Sequence, residues 1–170
     1  MELNATTDET EIRLAFEADV TGILDLQREN LPDRGGALSV EFSRDWFTRA
    51  IAAMPVIVAR RQGSLVGFLV SSPFSAHADV PIVQVMRAAY AGADDAYLYG
   101  PIGVARSERG RGLAGRLFAA LRRELPGREG VLFIRRDNPS SLNAHARMGM
   151  REVAEFIHGD AAHVVLAYVG

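Results

Sequence analysis

Two short stretches of this sequence combine residue types that could do chemistry. In Arg109-Gly110-Arg111-Gly112, basic residues alternate with glycines, and a helical pattern follows at once, with Leu113, Leu117 and Leu121 one turn apart. The first N–H groups of a helix lack backbone partners and lie at the positive end of its dipole, while glycine lets the backbone come close to a phosphate. Arg109, Arg111 and Arg116 add full charges, so the chemistry implied is phosphate or pyrophosphate binding. The second stretch runs from Asn138 to Gly149. Pro139 opens a short helix and Gly149 closes it, and Ser141 and His145, four residues apart, share one face.

Both stretches must be held by ordered elements. Leu98–Ala105 is an apolar, strand-like run leading into the glycine-rich loop, and Val131–Ile134 is a buried-type strand leading into Arg135-Arg136-Asp137-Asn138. Before them, alternation over Glu11–Glu17 predicts a first strand with Ile12, Leu14 and Phe16 on one face. Asp19 is positioned to cap a helix through Asn30. Leu31–Leu38 reads as a loop, and a second helix begins at Ser39 or Val40 and ends before Pro55. Val56–Ala59 and Leu65–Val70 form a hairpin. Ser71–Asp95 is a long insertion with its own helix, capped by Asp79 and striped with Ile82, Val85, Met86, Ala89 and Tyr90. Arg151–His158 and His163–Val169 close the chain as two strands. Residues 1–10 read as a flexible tail and 11–170 as a single domain.

Composition narrows the function. Net charge of -2 gives no general electrostatic case for nucleic acid or an anionic membrane, and the absence of cysteine excludes disulfides, thiolate metal sites and a cysteine nucleophile. The four histidines show no metal-ligand spacing, so no metal is expected. The polar, acidic N-terminus is unlike a signal peptide and no apolar run is long enough to span a membrane, which predicts a cytoplasmic location. Trp46 in its helix stripe reads as core, His158 and His163 as turn or edge residues, and Arg135-Arg136 as a solvated strand end.

Gly110, Gly112 and Gly115 spell G-x-G-x-x-G, with Asp137 downstream where a ribose-binding acid would stand. A nicotinamide-nucleotide site is therefore one reading. The order of elements weighs against it, because only about thirty residues follow Asp137, too few for repeated parallel crossovers, and a hairpin precedes the fingerprint. The same loop, Arg109-Gly110-Arg111-Gly112-Leu113-Ala114, matches the Q/R-x-x-G-x-G/A acyl-CoA loop of the GNAT superfamily of N-acetyltransferases. The chain resembles that superfamily from about Ile12 to Val169. Asn138 to Met150 is similar to its N-x-x-A/S-x-x-x-Y-x-x-x-G-F segment, with His145 where most members carry Tyr and Met150 where Phe is usual.

The resemblance implies an α/β (α+β) fold: a mixed, mostly antiparallel sheet with a splayed parallel pair and flanking helices. It implies acetyl transfer from acetyl-CoA to a primary amine of a small molecule or peptide, without a covalent enzyme intermediate. Ile102, Gly103 and Val104 would line the splay, with an N–H near Val104 polarising the thioester carbonyl. Backbone N–H groups of Arg109, Gly110, Arg111, Gly112, Leu113 and Ala114 would hold the pyrophosphate. Asn138 and Ser141 would meet the CoA arm, and His145 would protonate the leaving thiolate from a ring N–H. The usual strand carboxylate is missing, so the general base stays open among Tyr97, Tyr99, Glu41, His77, Asp79 and a water chain. The missing Tyr and carboxylate also fit a degenerate GNAT domain that binds acyl-CoA as a sensor or structural module. Acceptor specificity is expected from Leu31–Leu38 and Ser71–Asp95, and a homodimer through the C-terminal strands by analogy.

Overall fold

The computed structural model describes residues 9–34, 38 and 40–170. Seven strands form one sheet in the order β1-β2-β3-β4-β5-β7-β6. They are β1 (Glu11–Leu14), β2 (Val56–Arg61), β3 (Ser64–Pro73), β4 (Tyr97–Val104), β5 (Glu129–Arg135), β6 (Arg151–His158) and β7 (Ala161–Val169). The helices are α1 (Val20–Glu29), α2 (Arg44–Ala53), α3 (Pro81–Ala89), α4 (Leu113–Glu124) and α5 (Pro139–Arg147). Every neighbouring pair is antiparallel except β4 and β5, which run parallel. This is the mixed, mostly antiparallel sheet with flanking helices that the sequence predicts.

The parallel pair positions everything else. β4 and β5 pair in register only at Tyr97–Gly130 and Leu98–Val131. Beyond that the strands part, although β4 runs on to Val104 and β5 to Arg135. A bulge lies at the point of parting. Leu69 faces Ile102 but Ser71 faces Tyr99, so Gly100 and Pro101 together oppose Val70. A bulge bends its strand, and Pro101 has no N–H to offer a neighbour. β5 is meanwhile held on its other side by seven register pairs with β7, Glu129–Val169 through Arg135–His163.

Two hydrophobic clusters fix the helices. The larger joins α1, α2 and α4 to the sheet. Phe47 of α2 meets Phe68 of β3 edge-on at 6.0 Å, and Leu117 and Leu121 of α4 are fully buried. The smaller joins α3 to β6 and the middle strands through Val83, Met86, Leu98, Val131 and Phe156. Burying a side chain such as Met86 contributes roughly 1.5–3 kcal/mol. The buried stripe of α3 is thus Val83 and Met86. Ala89, expected in the stripe, is exposed, and Val80 rather than Asp79 stands at the N-cap.

Other local expectations also shift. β1 stops at Leu14, and Phe16 is 62% exposed under the Arg13 guanidinium rather than in the core. α2 starts at Arg44, because Ser43 Oγ accepts the Trp46 N–H at 3.2 Å and caps it. Asp19 precedes α1 without capping it. Its buried carboxylate instead takes Arg13 at 2.8 Å, Arg60 at 2.7 Å and the Phe16 N–H at 2.8 Å. His163, expected at an edge, is buried and stacked on Phe156 at 4.9 Å. Most of the predicted N-terminal tail, residues 1–8, and positions 35–37 and 39 of the predicted loop and helix start lie outside the described residues.

Candidate active site

The glycine-rich stretch opens a cleft of about 650 Å³ between α4 and α5. Its walls include Val104, Arg109, Gly110, Gly112, Leu113, Ala114, Phe118 and Arg122 on one side and Ser140, Ala144, Arg147 and Met148 on the other. Gly112 is the N-cap of α4 at φ 77°, in the left-handed region that glycine enters without steric cost. The first helical bond is Arg116 N–H to Gly112 O at 3.2 Å, and the N–H groups of Gly110 through Gly115 have no partner among the described residues. The loop before them is tied down on three sides. Glu29 accepts the Arg106 N–H at 2.8 Å, Asn30 accepts from Arg109 at 2.8 Å, and Arg61 binds Glu108 at 2.9 Å. A fixed row of unpaired amides is an anion cradle.

Side chains expected to add charge there are partly diverted. Arg109 reaches back to Asn30, Arg116 donates to Thr10 O at 3.3 Å, and Arg111 is exposed with no hydrogen bond among the described residues. Arg122 and Arg147, not singled out in the sequence, line the cleft instead. Their signal was helical spacing, Phe118 to Arg122 on α4 and Ser140, Ala144, Arg147 on α5.

A second cavity, about 230 Å³, lies where β4 and β5 part. It is lined by Leu98 through Ile102 of β4, Leu132 through Ile134 of β5, Leu38, Val40 and Phe42 before α2, and His77, Val80, Ile82 and Val83 from the insertion. Ser141 and His145 of α5 complete it. β4 and α5 wall both the cleft and this chamber. By the alternation of an antiparallel pair, the bond from Ala105 N–H to Val66 O turns the Ile102 and Val104 N–H groups away from β3, toward the gap left by β5.

His145 is buried at 6% exposure. Its Nδ1 lies 2.7 Å from Ser141 O. A carbonyl only accepts, so Nδ1 carries the ring proton in the neutral form, and Nε2 accepts from the Tyr99 hydroxyl at 3.2 Å. Burial pushes the His145 pKa down, against the opposing bond to Ser141, and burial pushes the Tyr99 hydroxyl up. The resting pair is therefore a neutral phenol and a neutral imidazole. The expected ring N–H is present, but it faces the backbone, and Nε2 can donate only a proton it has first received.

Of the candidate bases, His77 and Tyr99 line the chamber. Tyr97 bonds Tyr168 at 2.6 Å away from it, and Glu41 and Asp79 are exposed and outside it. His77 is 4% exposed, with Nε2 2.7 Å from Ser72 Oγ and its pKa lowered by burial. Trp46 packs half-buried against the main core, as its helix stripe predicts, stacked on Phe42 at 3.9 Å and 6.1 Å from the His77 ring.

The remaining expected site residues divide by role. Ile102 and Ser141 line the chamber, and Val104, Leu113 and Ala114 line the cleft. Gly103 lines neither. A Cβ there would stand 2.5 Å from the Phe68 ring, so glycine serves packing. Asn138 caps α5 by accepting the Ser141 N–H at 3.2 Å. Asp137 is held by Arg135 in a two-pronged pair of 2.9 and 2.8 Å, the arrangement of a solvated strand end and not of a free ribose acceptor. Among the described residues no metal-binding cluster occurs, and no helix is long and apolar enough to cross a membrane.

Residues 20–150 match the family model described as acetyltransferase (GNAT) family. No curated protein matches the chain. Solved structures that resemble it include a GNAT-family acetyltransferase from Bacillus cereus, at 13% identity over 95% of this chain and 97% of that one, TM-score 0.70. A GNAT-superfamily phosphinothricin acetyltransferase from Sinorhizobium meliloti, in complex with AcCoA, is 19% identical over 94% and 88%, TM-score 0.69. The ribosomal-protein-S18-alanine N-acetyltransferase of Escherichia coli is 12% identical over 95% and 94%, TM-score 0.67.

Proposed function

The chain belongs to the GNAT acetyltransferase family, and from that premise we propose that it transfers the acetyl group of acetyl-CoA directly to a primary amine of a small molecule or peptide. The observation that carries this reading is that β4 and α5 wall both the anion cleft and the chamber holding the Tyr99–His145 pair. One molecule can then keep its phosphates in the first and its reactive end in the second. The unpaired amides of Gly110 through Gly115 suit a pyrophosphate, and the unpaired edge of β4 suits the amides of a pantetheine arm. Bound acetyl-CoA would supply an acyl carbon activated by a sulfur leaving group.

The chain's own residues supply position and a proton path. The Val104 N–H, turned toward the gap, is a donor for the thioester oxygen as negative charge grows on it. The Tyr99 hydroxyl takes a proton from the attacking nitrogen as its own proton passes to His145 Nε2. The pair then returns a proton to the departing sulfur. His145 thus remains the source of the thiol proton, charged only in passing, and the Nδ1–H bond to Ser141 O holds the ring in the required tautomer.

Thiol release from acetyl-CoA, measured with and without a panel of primary amines, tests the reading. Amine-dependent release with an N-acetylated product is expected. Binding of acetyl-CoA without release against any amine would leave a domain that senses or stores the thioester, and the enzymatic reading would be wrong.

A further inference from the structure

We infer that the acceptor is a small apolar primary amine without a carboxylate or second cationic group, its nitrogen met by His77; the inference rests on the acetyltransferase reading above. Every described side chain lining the chamber is uncharged at neutral pH. A substrate carboxylate or far ammonium group would be buried there without a partner, which is strongly unfavourable. Phe42, Val80, Ile82, Val83 and Phe133 instead offer apolar surface to a hydrocarbon or aromatic tail.

The polar groups are few and already assigned in part. Tyr99 and His145 bond each other. His77 has Nε2 engaged by Ser72, and its Nδ1 has no hydrogen-bond partner among the described residues. With Ser72 Oγ accepting from Nε2–H, the Nδ1 lone pair is free to face a ligand. Burial alone displaces its titration, and no charged group contributes to the shift.

Two imidazoles match the two protons an ammonium substrate must lose. His77 Nδ1 takes the first, leaving a neutral amine, and later passes it to solvent. The amine's electron pair forms the N–C bond, and the C–S bond breaks with its pair going to sulfur. The second nitrogen proton travels through Tyr99 and His145 to that sulfur. The sum is ammonium plus thioester giving amide, thiol and one free proton.

The test uses the full chain with acetyl-CoA and three amines: 2-phenylethylamine, phenylalanine and 1,4-diaminobutane. The expected kcat/KM for phenylethylamine exceeds both others by roughly 100-fold, the scale of a buried unpaired polar group. Trp46, the one tryptophan, should report phenylethylamine binding by its fluorescence even without turnover. His77→Gln keeps a partner for Ser72 but cannot take a proton. It should lower kcat/KM for phenylethylamine at least tenfold while leaving the acetyl-CoA dissociation constant unchanged. Preference for phenylalanine or diaminobutane, or an unchanged rate in a folded His77→Gln, overturns the inference. So does an eight-carbon acyl-CoA that abolishes the Trp46 response to the amine, because the chamber would then hold the acyl chain. If acetyl-CoA itself does not bind, the acetyltransferase reading has failed instead.

Discussion

Replacing His145 with Phe removes both ring nitrogens and keeps the aromatic shape. The wild-type ring packs edge-on against Tyr99, centroids 5.5 Å apart at 85°, and Phe can keep that contact. What is lost is the acceptor at 3.2 Å from the Tyr99 hydroxyl and the donor at 2.7 Å from Ser141 O. Tyr99 has no other hydrogen-bond partner among the described residues, so its buried hydroxyl is left unpaired at a stability cost of about 1–3 kcal/mol. The catalytic cost is set by the lost proton path, roughly 10²–10⁴-fold in kcat, equivalent to about 2.7–5.4 kcal/mol. The assay is thiol release at saturating acetyl-CoA and amine, with calorimetry showing unchanged CoA affinity. pH gives an independent check. Nε2 works only when unprotonated, and burial holds its pKa below the ordinary value of about 6.5. Wild-type turnover should therefore fall as pH drops through that lowered pKa, and the residual rate of the Phe variant should lose the part of this limb that belongs to Nε2 and keep only the part that belongs to His77. Tyr99→Phe should lose a comparable factor, and the double variant should be little worse than either single one, since the two groups act as a unit. Wild-type turnover in His145→Phe with chemistry rate-limiting, or losses that multiply in the double variant, would refute the proton path.

Three further outcomes follow from other parts of the molecule. Gly112→Asp sets a carboxylate among the unpaired amides at a left-handed position and should weaken CoA binding more than roughly tenfold by calorimetry; an unchanged dissociation constant in a folded variant removes this loop from the CoA site. Asp19→Asn leaves two guanidinium groups without their shared carboxylate, and because Arg13 and Arg60 keep about a quarter of their surface exposed, the loss in urea stability should sit near the lower end of the 3–5 kcal/mol range for broken buried pairs; a loss under 1 kcal/mol would mark the cluster as a surface pair. Because burial lowers the pKa of His77, His145 and His163, the unfolded chain binds more protons than the folded one, and the urea midpoint should fall as pH drops from about 7 toward 5. Asp19 adds nothing to that loss: burial opposes ionisation, but the bonds from Arg13, Phe16 and Arg60 outweigh it and hold the carboxyl far below its usual range, so its contribution disappears only in stronger acid. A midpoint flat between pH 5 and 7 would contradict the imidazole argument.

What could be seen in the sequence was what depends on local order. α4 and α5 announce themselves through Gly112, Pro139, Asn138 and Gly149, each with a backbone preference that acts within one turn. The proposed phosphate cradle was visible for the same reason, since it is made of consecutive amides. The arginines were only half visible, because where a guanidinium lands depends on a distant partner: Arg109 goes to Asn30, 79 positions away, while Arg147 faces the cleft from another helix. α2 was placed too early because Phe42 extends the apolar face of Trp46 and Phe47 backward, and only the cap at Ser43 stops the helix from starting sooner.

The proton path shows this limit most clearly. His145 could be singled out because it stands where the resembled superfamily carries Tyr, but the hydrogen bond of its Nε2 is set by Tyr99, 46 positions earlier on another element. Neither residue's own neighbourhood in sequence says which imidazole nitrogen carries the proton. The 2.7 Å contact to a carbonyl does, and it turns a group expected to hold a proton ready into one that must first receive it. In the proposed mechanism that inversion also lets the site work without a strand carboxylate. A buried neutral imidazole backed by a hydroxyl can accept a proton from the nitrogen and return it to the sulfur. The bulge that opposes Gly100 and Pro101 to Val70 sits where the strands part, beside the gap in which the proposed transfers would occur.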